Sequence, residues 1–297
     1  MLQFFELIRL AGRPVAERRP SAYPGLLAAL VLVAAFFTGA FTGTAAHAQE
    51  ASPCIGTYWF CDDFNGTVID TTRWTIGNQN IAGSYPVKPA NISRTTISDL
   101  GNTITVVDAK IYGDLHSGPH RQGGVLITNA QYGGGRYEVR MKTVGGPHGC
   151  SCMWNYYDSL NEASPPPVRQ YTEIDIEMPA HLASPPAWAK WQKRMGLNTW
   201  ADSDDDAHGT ILSPTSTIDP FDGQFHVFRW DWKDGTNGTR QITWYIDNTQ
   251  IGTTTQHVGT HPAQLWLGVW PAPWTGMDWN FDTMDLYIDW VRMSAIS

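Results

Sequence analysis

The segment YTEIDIE, residues Tyr171–Glu177, alternates acidic and apolar side chains over its last five positions. In an extended strand successive side chains point to opposite faces, so Glu173, Asp175 and Glu177 share one face. The two isoleucines between them share the other face, where they can pack into a core. A register shift of one residue would bury all three acids, so the isoleucines fix the exposed side. The segment therefore predicts a rigid strand that displays three carboxyl groups.

Other parts of the chain repeat this two-residue period. Gly, Pro, Asn and Asp turns separate the strand-like segments, and only residues 180–194 have some helical character. The pattern predicts an all-β fold in which two antiparallel sheets pack as a sandwich. The clearest strand-like segments outside the acidic one are residues 136–142, 226–232, 242–246, 265–270 and 286–293.

Three acids on one strand face are unfavourable as a purely structural arrangement, because like charges about 6–7 Å apart repel. A solvated acidic face and a site for a hard cation are the alternatives to a catalytic role. The catalytic interpretation accounts for the spacing, since two glutamates four residues apart can lean towards each other. A carboxyl separation of about 5–5.5 Å suits the nucleophile and acid/base of a retaining glycosidase. The acid between them can help decide which carboxyl keeps a proton.

The first 48 residues have the pattern of a secretory signal peptide. Four arginines precede an apolar run at about residues 26–41, and residues 46–48 supply an Ala-His-Ala cleavage pattern. The apolar run is shorter than the roughly 20 residues that span a bilayer. We therefore expect cleavage after Ala48 and a secreted domain, extracellular or periplasmic, at residues 49–297 without membrane attachment.

Composition limits the classes of partner. Removal of the leader takes away four Arg and two Glu, so the net charge moves from −8 to −10. An acidic chain without a Lys/Arg cluster is poorly suited to nucleic acid or anionic lipid. All fourteen tryptophans follow the leader. Most are expected in the core, but indole rings also stack on sugar faces, so carbohydrate is a candidate ligand.

The four cysteines also follow the leader, and in an exported protein they are expected to be oxidised. A bridge between Cys54 and Cys61 is plausible. A bridge between Cys150 and Cys152 would close a very small loop. Three connectivities are possible, and the sequence does not choose among them.

The EIDIE motif at Glu173–Glu177 resembles the active-site motif of glycoside hydrolase family 16, which includes lichenases, laminarinases and xyloglucan transglycosylases. Residues 135–142, 225–230 and 288–291 resemble, in order, the family's strand before the catalytic one, its W/F-H-x-Y/F-x-W strand and its closing strand. The resemblance implies a concanavalin-like β-jelly roll with an open cleft. It also implies that Glu173 is the nucleophile, Asp175 the assisting acid and Glu177 the acid/base.

The resemblance extends to positions that would contact substrate. It implies a cleft arginine that touches sugar and nucleophile, aromatic subsite positions on the strand before the acids, and polar and aromatic positions on the strand after them. It also implies a tryptophan platform late in the chain. A surface charge and core packing are the alternatives for these residues. They are, in that order, Arg121; Trp154 and Tyr156; Asn198 and Trp200; and Trp270.

The five-residue form of the motif is similar to the lichenase and xyloglucan branch of the family. We therefore expect a secreted, retaining endo-glycosidase acting on β-linked polysaccharide, with β-1,3-1,4-glucan as a candidate. A transglycosylase on the same scaffold and a non-catalytic, lectin-like module are the alternatives. We expect a monomer without cofactor or catalytic metal. Asp289 resembles a residue of a structural calcium site in some relatives, but one aspartate does not establish such a site.

Overall fold

The computed structural model describes residues 53–81, 85–145, 148–162, 167–178, 195–202, 209–212, 218–272 and 278–296. All of these residues belong to one unit, Gln49–Ser297. The signal peptide expected at residues 1–48 and the helical character expected within 180–194 lie outside the described residues, so both stay predictions. Among the residues described, no helix is long and apolar enough to cross a membrane.

Fifteen strands form two sheets in the described part of the chain. The eight-stranded sheet runs in the order β13 (Thr249–Thr254), β12 (Arg240–Ile246), β11 (His226–Asp234), β6 (Gly135–Lys142), β15 (Thr283–Ser294), β4 (Asn102–Tyr112) and β3 (Ile92–Asp99), and β1 (Phe60–Asp62) also pairs with β15. The seven-stranded sheet runs in the order β10 (Gly209–Leu212), β9 (Gly196–Ala201), β8 (Val168–Met178), β7 (Cys150–Asn161), β14 (Gln264–Trp270), β5 (Gly124–Thr128) and β2 (Trp74–Ile76). A 3-10 turn, Pro89–Asn91, precedes β3.

Every pairing between these strands is antiparallel. The prediction of an all-β sandwich of two antiparallel sheets is therefore confirmed. The central strands pair with neighbours distant in sequence, such as β6 with β15 and β7 with β14. Such crossovers place residues from widely separated segments side by side on one sheet face.

The core lies between the two sheets and uses the alternation that the sequence predicts. Tyr137, Val139 and Met141 of β6 are fully buried, as are Phe228 and the tryptophans of β11. Ile174 and Ile176 of β8 belong to the same apolar cluster. Burial of each such side chain contributes about 1.5–3 kcal/mol. A one-residue slip of β8 would lose both isoleucines from the core and insert three acids, so the orientation of β8 is strongly determined.

Two disulfides occur among the described residues, Cys54–Cys61 and Cys150–Cys152. The first joins the chain ahead of β1 to that strand. The second joins two alternate positions at the start of β7. The structure thus selects one of the three possible connectivities, and it includes the small loop between Cys150 and Cys152.

Candidate active site

The face of the seven-stranded sheet that is turned away from the core lines a cleft of about 450 Å³. Glu173, Asp175 and Glu177 all line it, so β8 presents its three acids together, as the strand period predicts. Aromatic side chains of β7 and β14 form much of the remaining surface. Residues 79–81, from the segment after β2, contribute a further part of the wall.

Strand register fixes the neighbours of each acid. On the β7 side, Tyr156 stands opposite Glu173, Trp154 opposite Asp175 and Cys152 opposite Glu177. On the β9 side, the opposed residues are, in the same order, Trp200, Asn198 and Gly196. Each acid therefore sits in a row with one residue from each neighbouring strand. The three rows differ in chemistry, so the three carboxyls have different environments.

Asp175 is the most deeply buried of the three acids, with 2% of its surface exposed. Burial raises its pKa well above the ordinary value, and the negative charges of Glu173 and Glu177 raise it further. The surroundings of Asp175 therefore favour its protonated form. A neutral Asp175 limits the charge repulsion that would otherwise separate the two outer glutamates.

Glu177 has an environment suited to holding and releasing a proton. Burial, together with the nearby charge of Glu173, raises its pKa from 4.5 to about 7. Asn198 opposes this effect by donating a hydrogen bond from Nδ2 to Oε2 of Glu177 at 2.8 Å. A general acid is most effective when its pKa lies close to the working pH. Glu177 therefore has the properties of a proton donor near neutral pH.

Glu173 has a different partner. The Tyr171 hydroxyl donates a hydrogen bond to Oε2 of Glu173. Such a bond favours the charged carboxylate, the form in which a glutamate is a nucleophile. Glu173 and Glu177 share one strand face and one cleft but have different hydrogen-bond donors. Two carboxyl groups in such different surroundings differ in how readily each holds a proton.

The aromatic side chains of the cleft form a contiguous group. The rings of Trp154 and Trp266 have centroids 5.4 Å apart, those of Trp154 and Trp270 6.4 Å, and those of Tyr156 and Trp266 5.9 Å. Flat, rigid aromatic surface beside polar groups is suited to sugar rings. The cleft therefore combines carboxyl groups with an aromatic floor suited to binding sugar rings.

A sequence model of the family described as Glycosyl hydrolases family 16 matches residues 91–292, which include all three acids and most strands of both sheets. The chain belongs to glycosyl hydrolase family 16. It is accordingly a glycoside hydrolase of the all-β, jelly-roll type, and the resemblance noted in the EIDIE motif is confirmed.

Relatives in the family agree with this assignment. A β-glucanase of Brevibacillus brevis is 24% identical over 289 residues, covering 93% of this chain and 96% of that protein. A family 16 structure from Bacteroides ovatus, solved with a mixed-linkage glucan product, has a TM-score of 0.59 at 20% identity and covers 79% of this chain and 99% of that one. A κ-carrageenase from Pseudoalteromonas carrageenovora has a TM-score of 0.52 at 17% identity, covering 78% and 92%. At these identities the structures show a shared fold.

Five of the six substrate-binding positions implied by the family resemblance lie in the cleft or next to its acids. Trp154, Tyr156 and Trp270 line the cleft. Asn198 reaches the site through its bond to Glu177, and Trp200 stands directly opposite Glu173, half-buried on β9. Their contacts with substrate stay predictions.

Arg121 is placed differently from the expectation that it touches sugar and nucleophile. Its guanidinium pairs with Asp114 at 2.6 Å, donates to the Tyr85 hydroxyl at 2.8 Å and lies over the Trp279 ring at 5.1 Å. Arg121 has a φ of 50°, and this left-handed backbone directs the chain differently from an extended strand. The structure therefore does not bring Arg121 to the three acids.

Several cleft residues were not identified from the sequence. Trp266 lies four residues before Trp270 on β14, and Tyr171 lies two residues before Glu173 on β8. The two-residue period of a strand therefore predicts that both face the cleft. Cys152 lies two residues before Trp154 on β7 and so shares its face, but the sequence alone does not determine its disulfide partner. Residues 79–81 carry no local signal, since they reach the cleft only through the fold of the segment after β2.

Asp289, which resembles a residue of a structural calcium site, is paired with an arginine. One of its oxygens accepts a hydrogen bond from Arg140 at 2.5 Å, and Arg140 also binds Asp99. An ion pair accounts for this arrangement. Within the described ranges, no group of three or more His, Cys, Asp or Glu side chains is arranged to hold a metal ion.

Proposed function

We propose that this family 16 enzyme is an exported, retaining endo-β-glucanase, with mixed-linkage β-1,3-1,4-glucan as the first candidate substrate. One observation carries the proposal: Glu173 and Glu177 share one face of β8, yet the Tyr171 hydroxyl donates a hydrogen bond to Glu173, while burial raises the pKa of Glu177 to about 7. This is the division of labour that a double-displacement glycosidase needs.

In the first step the Glu173 carboxylate attacks the anomeric carbon, and a glycosyl ester forms as the glycosidic C–O bond breaks. Glu177 transfers its proton to the departing oxygen, so the leaving sugar departs as a neutral alcohol. Neutral Asp175 between them lets Glu173 hold its charge without a second adjacent anion. The site then carries a covalent sugar on Glu173 and a carboxylate at Glu177.

In the second step the Glu177 carboxylate removes a proton from water as the water oxygen attacks the same anomeric carbon. The ester bond to Glu173 breaks, Glu173 regains its negative charge, and Glu177 regains its proton. Two inversions give net retention of the anomeric configuration. A sugar hydroxyl in place of water would give transglycosylation, so the same residues serve either outcome.

The cleft chemistry supports a neutral polymer. Among the described residues that line it, three are acidic and none is Lys or Arg, and the remaining surface is aromatic, amide or apolar. Sulfated polymers such as carrageenan would meet this acidic surface without a compensating Lys or Arg from those residues. The β-glucanase relatives and the product-bound Bacteroides ovatus structure point to the same class of substrate. The leader predicted at residues 1–48 supports export. An exported enzyme suits a polysaccharide substrate, because an intact polymer cannot enter a cell.

The test is a panel of lichenan, laminarin, xyloglucan, agarose and carrageenan, scored for new reducing ends. We expect cleavage of a neutral β-glucan, with lichenan cleaved fastest. Added acceptor oligosaccharide separates hydrolysis from transglycosylation, since only the latter gives longer products. Binding of polysaccharide without any release of reducing ends would support a lectin-like module and contradict the proposal.

A further inference from the structure

The Cys150–Cys152 disulfide belongs to the floor of the cleft. Cys150 and Cys152 occupy alternate positions of β7, so both point to the face that also carries Trp154. Their Cα atoms are 5.5 Å apart, and Cys152 lines the cleft. Both residues belong to an apolar cluster with Trp154, Trp270 and Val125. The bridge is therefore part of the site and not a distant structural link.

Strand register places this bridge beside the acid/base. Cys152 stands directly opposite Glu177 of β8, and Cys150 stands opposite Trp270 of β14. Directly opposed residues in antiparallel strands have Cβ atoms about 4.5–5.5 Å apart. The register thus places Cys152 beside Glu177 and Cys150 beside Trp270.

The two sides of Glu177 differ in chemistry. On the β9 side the opposed residue is Gly196, and the diagonal neighbour Asn198 supplies the hydrogen bond to Oε2. On the β7 side the neighbour is disulfide sulfur, which has no proton to donate. Among the described residues, the titratable groups that face Glu177 are Glu173 and Asp175 on its own strand. No described cation offsets its burial.

We propose that the Cys150–Cys152 disulfide is a positioning element for Glu177: it fixes a wall without hydrogen-bond donors against one side of that carboxyl. The inference rests on the function proposed above, in which Glu177 gives its proton to the leaving group. The wall offers the charged form no hydrogen-bond donor on the β7 side, and this favours the protonated acid that the first step requires.

The proposed effect on Glu177 depends on the intact S–S bond, and not only on the presence of two sulfur atoms. Reduction by a dithiol breaks the S–S bond, transfers two electrons and gives two S–H groups, while the dithiol becomes a cyclic disulfide. Each thiol is a weak donor that can rotate towards a neighbouring carboxylate. A serine hydroxyl is a stronger donor at the same position. Either change is expected to stabilise the Glu177 carboxylate and so to weaken its function as an acid.

The experiment compares the wild type with the double variant Cys150→Ser/Cys152→Ser. The profile of kcat/KM against pH is measured on two β-glucan oligosaccharide glycosides, one with a sugar leaving group and one with a dinitrophenyl group that needs no protonation. For the sugar leaving group we expect the alkaline limb of the profile to shift to lower pH by about one unit, so that kcat/KM at pH 7 falls several-fold. For the dinitrophenyl group the loss at pH 7 should be absent.

The chain offers a matched control in its other disulfide, which joins Cys54 to Cys61 at the start of the described chain. The variant Cys54→Ser/Cys61→Ser also loses one bridge, but the alkaline limb should stay where it is. An unchanged limb in Cys150→Ser/Cys152→Ser, or an equal shift in the control, would overturn the positioning role. An equal loss with both leaving groups would also overturn it, because that loss would reflect general damage to the cleft.

A second measurement covers failure of the serine variant to fold. In the Cys54→Ser/Cys61→Ser protein, dithiothreitol can reduce only the cleft bridge, and thiol alkylation with mass spectrometry reports its state. Reduction should move the alkaline limb in the same direction. A reduced protein with an unmoved limb, or free thiols at Cys150 and Cys152 before reduction, would refute the inference. If wild-type protein cleaves no β-linked polysaccharide, the proposed function fails instead, and thiol mapping still reports on the bridge.

Discussion

Asn198 donates a hydrogen bond to Glu177 across the boundary between β9 and β8, with 2.8 Å between Nδ2 and Oε2. The two residues are not directly opposed, since Asn198 stands opposite Asp175 and Gly196 stands opposite Glu177. The absence of a side chain at Gly196 leaves the β9 side of Glu177 open to this diagonal contact. The amide orients the carboxyl and also limits how far burial raises its pKa.

Replacement of the amide by an apolar side chain of similar size should make Glu177 harder to ionise. In Asn198→Leu, the hydrogen bond that lowers the pKa of Glu177 is lost, so the alkaline limb of kcat/KM should move up by about one pH unit. Thr199→Val is the control, because Thr199 bonds the His257 carbonyl from the core-facing side of the same strand. A downward shift in Asn198→Leu would contradict the assigned direction.

The roles of the two glutamates can be separated by the leaving group. Glu173→Gln should reduce turnover to background for every substrate, because no covalent intermediate can form. Glu177→Gln should lose about 100- to 10,000-fold on polysaccharide but much less in dinitrophenol release, since that group needs no proton. Glu138→Gln, in the other sheet and paired with Arg292, is the control and should keep its activity. The product anomer, observed by NMR, should be retained. An inverted anomer would exclude double displacement.

Tyr171 is predicted to orient Glu173 and favour its charged form. Its ring is held by an edge contact with Tyr156, and its hydroxyl donates to Glu173. In Tyr171→Phe the acidic limb of kcat/KM should move to higher pH, and kcat should fall about tenfold, the equivalent of one hydrogen bond to a charged group. Tyr157→Phe, on the next strand and next to His261, is the matched control. An unmoved acidic limb in Tyr171→Phe would leave Tyr171 with a packing role only.

The sequence predicts the catalytic strand well because a single physical constraint acts on it. Ile174 and Ile176 must be buried, and a period of two then leaves no freedom for the three acids. The same constraint places Trp154 and Tyr156, which have the right parity on the neighbouring strand. Local alternation thus determines both the face of each strand and most of the cleft floor.

The burial of alternate residues in a strand does not predict contacts that depend on backbone conformation or on distant segments. Arg121 has a left-handed φ, and it turns to Asp114 instead of the acids. The pairing of Cys150 with Cys152 depends on local backbone geometry, and the sequence spacing, which implies a very small loop, does not predict it. Asn80 reaches the cleft wall through a loop whose position is set by the whole sandwich. These features belong to tertiary structure, which sequence periodicity does not encode.

Trp266 should contribute to substrate binding more than to chemistry. It lines the cleft between Trp154 and the strand β5, and it is only partly buried. In Trp266→Ala we expect KM to rise about fivefold, equivalent to about 1 kcal/mol of aromatic contact, with kcat little changed. Trp59→Ala removes a tryptophan that is 47% exposed outside this cleft and should leave KM unaltered. A fall in kcat without a change in KM would place Trp266 in the chemical step.

Glu177 should make the free enzyme less stable as pH rises. Its folded pKa, raised by burial from 4.5 to about 7, lies above the unfolded value, so the folded state binds the proton more tightly. The stability it contributes is therefore fully present below about pH 4.5 and is lost as pH rises through about 7. A glutamine stays neutral throughout. Glu177→Gln should thus match the wild type near pH 4 and exceed it at pH 8 by on the order of 2 kcal/mol.

Thermal unfolding of the substrate-free protein at pH 4 and pH 8 measures this difference, which corresponds to roughly 4–8 °C in Tm. Glu138→Gln is the control because it also replaces a glutamate, but it removes an ion pair to Arg292 at 2.7 Å and should not gain stability at pH 8. Stabilisation of Glu177→Gln at pH 8, together with loss of activity, would show that the half-buried acid is kept at the expense of stability. Equal Tm values for Glu177→Gln and wild type at both pH values would mean that the folded site does not hold a proton on Glu177.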